Sequence, residues 1–170
     1  MRKFVAGVLF FGVVFVSGTA VAGPHYDEGL NLFQSEAYTK ASKRLSKAFK
    51  KEPESRSDAA LLLSYCYERM GKGRRAIDIL KRGRKMDPGN WQILYRLGGL
   101  CQESGDYFTA LAAYEAASEI KPDDIETMYR LGVAYDNTAQ IEKALKVYRK
   151  LRKANSPHAE ELLNAIQGIE

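Results

Sequence analysis

The sequence predicts an all-α protein in which helix pairs stack into a solenoid, and three observations carry that prediction. Positions recur at a fixed spacing of 34 residues: Leu63, Leu97 and Leu131; Ala76, Ala110 and Ala144; Gly71, Gly105 and Ala139; and Pro88 with Pro122. Recurrence at a period of this size is the signature of a repeat architecture, in which each unit buries its apolar face only against its neighbours. Within a unit, apolar residues fall three or four apart, as in Leu94, Leu97 and Cys101 and then Leu111, Tyr114 and Ala117, the spacing of one helix face. The 170 residues are 45% hydrophobic and 28% charged with five prolines, a composition that fits a folded, helix-rich chain.

The elements follow in order. Met1-Arg2-Lys3 is a positive n-region, Phe4 to Val16 is an uncharged run of 13 residues, and Ala20-Val21-Ala22 is an A-x-A cleavage site. Residues 1–22 therefore read as a signal peptide. The 19 uncharged residues from Phe4 to Ala22 also stand near the lower limit for spanning a bilayer, so an uncleaved N-terminal anchor fits as well. On either reading the chain after residue 22 is exported, to the periplasm or beyond, or is held outside by an inner-membrane anchor at residues 4–22. The leader has no cysteine for lipid attachment and no paired arginines, which favours the general secretory route.

The repeat domain then runs from 23 to 158. The first copy, 22–55, is the weakest, with Gly29, Leu32, Tyr38, Ala41, Leu45, Ala48 and Pro53; one extra residue follows it. The second, 57–90, carries Leu63-Ser64, Tyr67, Gly71, Ala76, Leu80 and Asp87-Pro88. The third, 91–124, carries Leu97-Gly98, Gly105-Asp106-Tyr107, Ala110, Tyr114, Ala117 and Lys121-Pro122, and the fourth, 125–158, carries Leu131-Gly132, Tyr135, Ala144, Tyr148 and Pro157. Small residues at Gly98, Ala110 and Ala117 let two helices cross closely while Tyr107 and Tyr114 fill the space beside them. Gly71 and Gly105 end first helices in a left-handed conformation, and Pro88 and Pro122 end second helices. Ser156-Pro157 opens a closing helix within 157–170 that caps the apolar end of the stack.

Some expectations attach to departures from the pattern. Asp123 with Glu126, and Ser55 with Asp58, have the spacing of a capping box. Ala139 stands where a turn glycine is expected, which points to Asn137 as the left-handed residue. Gly73 and Gly83 fall within the second helix of copy two, which predicts a loose helix there.

These motifs resemble the tetratricopeptide repeat, whose pattern sets Leu-Gly and then Tyr in a first helix, Ala in a second and Pro at its end. The resemblance covers about residues 22 to 158 and implies a right-handed α-solenoid of about four helix pairs plus the C-terminal capping helix. It also implies a concave face lined by the first helices. Carried over by repeat position, that face holds Tyr26, Leu30 and Phe33 of copy one, Leu61, Tyr65 and Arg69 of copy two, Gln92, Tyr95 and Gln102 of copy three, and Tyr129, Asp136 and Asn137 of copy four. A tyrosine-rich, weakly acidic groove suits an extended or helical peptide, since rings give contact area at low entropic cost and amides bond to backbone. Some of the tyrosines serve equally well as covers for core leucines. The lysine and asparagine clamp of the chaperone-tail version of the repeat is replaced by Tyr26 and Leu30, while Arg96 and Arg130 remain to meet an acidic group.

Charge is divided along the chain. Residues 37–86 hold 15 Lys or Arg against 5 Asp or Glu, and residues 87–140 hold 3 against 9. The basic part fits either a working face for anionic lipid or an acidic partner, or a set of ordinary solvated outer helices. Cys66 and Cys101 fit no metal-ligand spacing; side by side on adjacent first helices they fit either a disulfide, allowed in an oxidising compartment, or two buried thiols. His25 and His158 are far apart in the array, and no phosphate loop, nucleophile elbow or metal cluster is present. No catalytic residue, metal site or cofactor is expected, and export disfavours nucleic acid. The expected function is a non-enzymatic scaffold in the bacterial cell envelope that binds a protein or peptide partner; the alternatives are a membrane-surface accessory protein that uses its basic face, residues 37–86, to bind anionic lipid or an acidic partner, and self-association through the weak first copy.

Overall fold

Each 34-residue unit folds back on itself because one residue between its two helices takes a left-handed conformation. These residues are Glu36 (φ 58°), Gly71 (φ 68°), Gly105 (φ 81°) and Ala139 (φ 57°). At each turn the next N–H reaches a carbonyl five residues back: Ala37 to Leu32 at 2.9 Å, Lys72 to Tyr67 at 2.7 Å, Asp106 to Cys101 at 2.8 Å and Gln140 to Tyr135 at 2.8 Å. Such bonds satisfy the orphan carbonyls at the end of the first helix and start the second antiparallel to it. Asn137, expected as the left-handed residue of the last turn, is instead the final residue of its helix, and Ala139 takes φ 57°. The hydrogen-bond pattern fixes the turn position, so the residue there adopts the conformation whatever its side chain.

A computed structural model describes residues 23–168, and among them every regular element is helical. In order these are α1 (Pro24–Gln34), α2 (Tyr38–Lys51), a 3-10 turn (Pro53–Ser55), α3 (Arg56–Arg69), α4 (Gly73–Met86), α5 (Trp91–Glu103), α6 (Tyr107–Ile120), α7 (Ile125–Asn137), α8 (Ile141–Lys153) and α9 (His158–Gln167). The leader, residues 1–22, lies outside the described residues, as do the last two positions of the chain. Successive helices pack on one another throughout; α3 also touches α1 and α5, and α9 packs on both α7 and α8 where the first helix of another pair would stand. Among the described residues no helix is long and apolar enough to cross a membrane.

Three apolar clusters run along the stack. Tyr26, Leu45, Phe49 and Leu63 belong to the first, Leu80, Leu97 and Tyr114 to the second, and Val147, Leu151 and Leu162 to the third. Glycines set the crossing distances. A Cβ built on Gly98 would stand 2.7 Å from the Tyr114 ring, one on Gly29 would stand 2.7 Å from Leu45, and one on Gly132 would overlap Leu162 of α9. Copy two places Ser64 at this crossing, fully buried, its hydroxyl donating to the Leu61 carbonyl at 2.6 Å.

Three expectations are corrected. Gly73 is the first residue of α4, and Gly83 is buried where a Cβ would stand 3.0 Å from Ala60 and 3.1 Å from Ile93. Gly83 is thus a close-approach point between α4 and its neighbours, not a weak link. The N-cap of α7 is Asp124, whose carboxylate accepts from the Thr127 N–H at 2.9 Å and its hydroxyl at 2.7 Å, in place of the Asp123–Glu126 box; the hydroxyl of Ser55 accepts from the Gly23 N–H at 3.3 Å and caps nothing in α3. Cys66 and Cys101 are both free and fully buried, each in a different apolar cluster, so the disulfide reading gives way to that of two buried thiols.

Candidate first-helix binding face

The functional candidates sit on α1, α3, α5 and α7, and the strongest local order centres on α5. Tyr95 is packed edge-on to Tyr114 (5.9 Å between ring centroids) and to Trp91 (6.4 Å), and its hydroxyl donates to Glu126 of α7 at 3.1 Å. Arg130, one turn further along α7, donates to the same Glu126 oxygen at 2.9 Å. Arg96 lies over the Tyr65 ring of α3, its guanidinium carbon 3.3 Å from the centroid, donates to Ser64 at 3.2 Å and pairs with Glu68. Burial shifts the titration of these groups. The Tyr95 hydroxyl is pushed up by burial and then by Glu126, and the Arg96 guanidinium is pulled below its usual value by burial.

Two cavities open on this face and share Tyr95 and Arg96 as their common wall. The first, about 250 Å³, lies between α3 and α7 and is lined by Leu61, Tyr65, Trp91, Gln92 and Glu126 as well. The second, about 220 Å³, is a notch over Gly99, bounded by Gln102, Glu103, Tyr114 and Arg130. Position nine of the repeat is Leu30, Tyr65 and Val133 in the other copies, so Gly99 leaves a gap where those copies have a side chain. The Gln102 Oε1 atom is buried and has no hydrogen-bond partner among the described residues. It is available to an N–H brought by a ligand.

The groove residues expected from the repeat register divide into two groups. Tyr65, Gln92, Tyr95 and Gln102 line the two cavities, with Leu61 as a buried floor. Phe33 lies beside them, 6.2 Å from Tyr65 and 5.7 Å from Tyr38, and Arg69 reaches over the Tyr38 ring at 6.0 Å. Tyr26 is corrected: it is 5% exposed and belongs to the first core cluster, its hydroxyl pushed up to about 12 by burial and by Asp58. The cause is the turn after α2, where Glu52 accepts from the N–H groups of His25 at 2.9 Å and Tyr26 at 3.0 Å and closes over the start of α1. Leu30 is half-buried against the same cluster, while Asp136 and Asn137 line neither cavity.

Tyr129 is already occupied by the chain itself. His158, the first residue of α9, stacks on its ring at 4.7 Å and approaches Glu126 at 3.4 Å and Glu161 at 2.9 Å. Sequence register could not show this, because it depends on where α9 returns to the stack. Trp91 was likewise missed, whereas Gly99 falls on the face by its repeat position and only the gap it leaves was not foreseen.

No group of three or more His, Cys, Asp or Glu gathers to hold a metal among the described residues. The Tyr95–Glu126–Arg130 network ties the ring of α5 to the carboxylate and guanidinium of α7. A profile of the tetratricopeptide repeat matches residues 32–97 and again 102–167, most of the chain. The chain belongs to the tetratricopeptide repeat family. Its fold is that of a protein–protein interaction scaffold. Among solved structures, it resembles a tetratricopeptide repeat protein from Parabacteroides merdae at 22% identity and a TM-score of 0.76, over 85% of this chain and 60% of that one. It also resembles MamA from Desulfovibrio magneticus RS-1 at 19% identity and a TM-score of 0.66, over 87% of this chain and 96% of that one. Both likenesses concern the fold. Sequence relatives include the BBSome complex member bbs-4 of Caenorhabditis elegans, 43% identical over 47 residues, which are 28% of this chain and 10% of that protein. Another is the transcription factor tau 131 kDa subunit of Saccharomyces cerevisiae, 27% identical over 94 residues, 55% of this chain and 9% of that protein. The chain therefore matches about a tenth of the length of these two relatives.

Proposed function

We propose that this protein is an exported, non-enzymatic adaptor of the bacterial cell envelope that holds a peptide segment of an assembly or secretion partner along its first-helix face. The observation that carries this reading is the notch of about 220 Å³ at Gly99, beside the first cavity of about 250 Å³. A single apolar or aromatic partner side chain seated over Gly99 would rest on Tyr95 and Tyr114, while its backbone N–H reaches the free oxygen of Gln102. Arg96 and Arg130 flank the notch and favour an acidic neighbour in the same segment.

The test uses Gly99→Leu. A Cβ at Gly99 meets only the Tyr114 hydroxyl, at 3.6 Å, so a side chain enters the notch without disturbing the packing beneath. A photoreactive residue in place of Gln92 should trap a partner in the native envelope, and Gly99→Leu should reduce that trapping at least tenfold while the protein stays folded. Undiminished trapping in Gly99→Leu would refute the reading, and fractionation that leaves the protein in the cytoplasm would refute its export.

A further inference from the structure

A second surface, independent of the first-helix face, opens between α2 and the start of α4. It is a groove of about 950 Å³ whose floor includes Leu32, Tyr67 and Met70 and whose walls carry seven basic side chains against one acid, Glu28. Glu28 is already paired with Arg44 at 2.8 Å. The other six cations, Lys40, Lys43, Lys47, Lys50, Lys72 and Arg75, are exposed and enter none of the ion pairs among the described residues. The four on α2 recur at three, four and three residues, so they form one row, about 15 Å long at 1.5 Å per residue. Like charges at these spacings weaken a helix, and a facing wall that adds Lys72 and Arg75 raises the repulsion further.

We infer that this groove is a docking site for an acidic polypeptide segment of a partner protein, with carboxylates meeting the α2 row and apolar side chains meeting the floor. Shape decides among the anionic ligands. A lone phosphate group wants donors that converge on one point, whereas these cations are spread along a line. A planar bilayer would bridge a recess of this kind and leave its floor unfilled. A peptide fills it and matches both the charged walls and the apolar floor.

The test is fluorescence anisotropy on the purified full chain with a labelled 12-residue peptide of glutamates interspersed with leucines, beside its glutamine counterpart. The acidic peptide should bind saturably and weaken steeply as salt rises, and the glutamine peptide should not bind. Lys43→Glu, Lys47→Glu and Arg75→Glu together should weaken binding at least tenfold. Should that triple variant lose its helical circular dichroism, the neutral set Lys43→Gln, Lys47→Gln and Arg75→Gln carries the same expectation. A charge-matched reversal on the outer helix α8, Lys146→Glu, Arg149→Glu and Lys150→Glu, should change affinity less than twofold, as should Gly99→Leu. The inference is overturned if the α8 reversal weakens binding as much as the groove reversal, which would reduce the effect to net charge. Loss with Gly99→Leu overturns it by moving the acidic segment to the first-helix face. Binding of phosphatidylglycerol vesicles without binding of the peptide overturns it in favour of a membrane, and groove-dependent dimers in sedimentation without peptide binding overturn it in favour of a second copy.

Discussion

Gly98 and Gly99 are neighbours in the same helix with opposite surroundings, and replacing each by alanine isolates the energy of the α5–α6 crossing. Either substitution gains the same helix propensity, about 1 kcal/mol. At Gly99 the added methyl meets the Tyr114 hydroxyl at 3.6 Å, an ordinary contact, so Gly99→Ala should be stabilising by about 1 kcal/mol. At Gly98 it would stand 2.7, 2.8 and 2.9 Å from three ring atoms of Tyr114. That ring is 1% exposed and held between α5 and α6, so relief requires moving a helix, at an overpacking cost of about 1–3 kcal/mol. The difference between the variants cancels propensity and leaves the overpacking alone. For a domain of this size it corresponds to Gly98→Ala melting about 2–12 °C below Gly99→Ala, at about 2–4 °C per kcal/mol. Thermal and urea unfolding followed by circular dichroism measure it. A Gly98→Ala protein as stable as Gly99→Ala would show that the crossing is not set by the glycine, and the reasoning would fall.

Asp124→Ala should lose about 2–3 kcal/mol, since it removes an N-cap and strands the fully buried Thr127 hydroxyl, whereas Asp123→Ala should stay within about 0.5 kcal/mol; urea unfolding of the two distinguishes them. Ala139→Gly should raise stability by about 1 kcal/mol, because alanine at φ 57° carries a cost glycine does not, and an unchanged melting temperature would count against the turn geometry. Burial, and then Asp87, push the Asp58 carboxyl above its ordinary range. The native state therefore holds that proton more tightly than the unfolded chain, and stability falls as pH rises from the unfolded value through the folded one; Asp58→Asn should be stabilising at pH 7 and lose that advantage as the pH drops and the wild-type carboxyl is protonated. Cys66, its thiol pushed up to about 12 by burial, and Cys101 should both resist alkylation in the native protein and both react after denaturation without reductant, as read by intact mass.

Most of the architecture was legible in the sequence because it is repeated. Leucine, alanine and proline recurring at 34 residues locate helices and turns together, and a helix pair can bury those residues in few ways. What escaped was set by contacts between units. Gly83 reads as a helix breaker until Ala60 and Ile93 are seen against it, and the choice of Asp124 over Asp123 as cap depends on where α7 begins. The candidate face was legible in register only. Tyr65, Tyr95 and Gln102 line cavities on it, but Tyr26 is lost to the core through the turn after α2, and Tyr129 is stacked beneath His158.

If the first-helix face holds a peptide as proposed, the seating of His158 on Tyr129 also makes the protein a ruler. His158 covers the Tyr129 ring while Glu126 and Arg130 of α7 stay open, so the track runs across α1, α3 and α5 to the near edge of α7, three spacings of about 8–10 Å. An extended strand advances about 3.3 Å per residue, so a segment lying across that track spans about eight residues before it meets α9. A longer recognition sequence would have to turn away from the face at that point, which sets an upper bound on the motif to be sought in any partner.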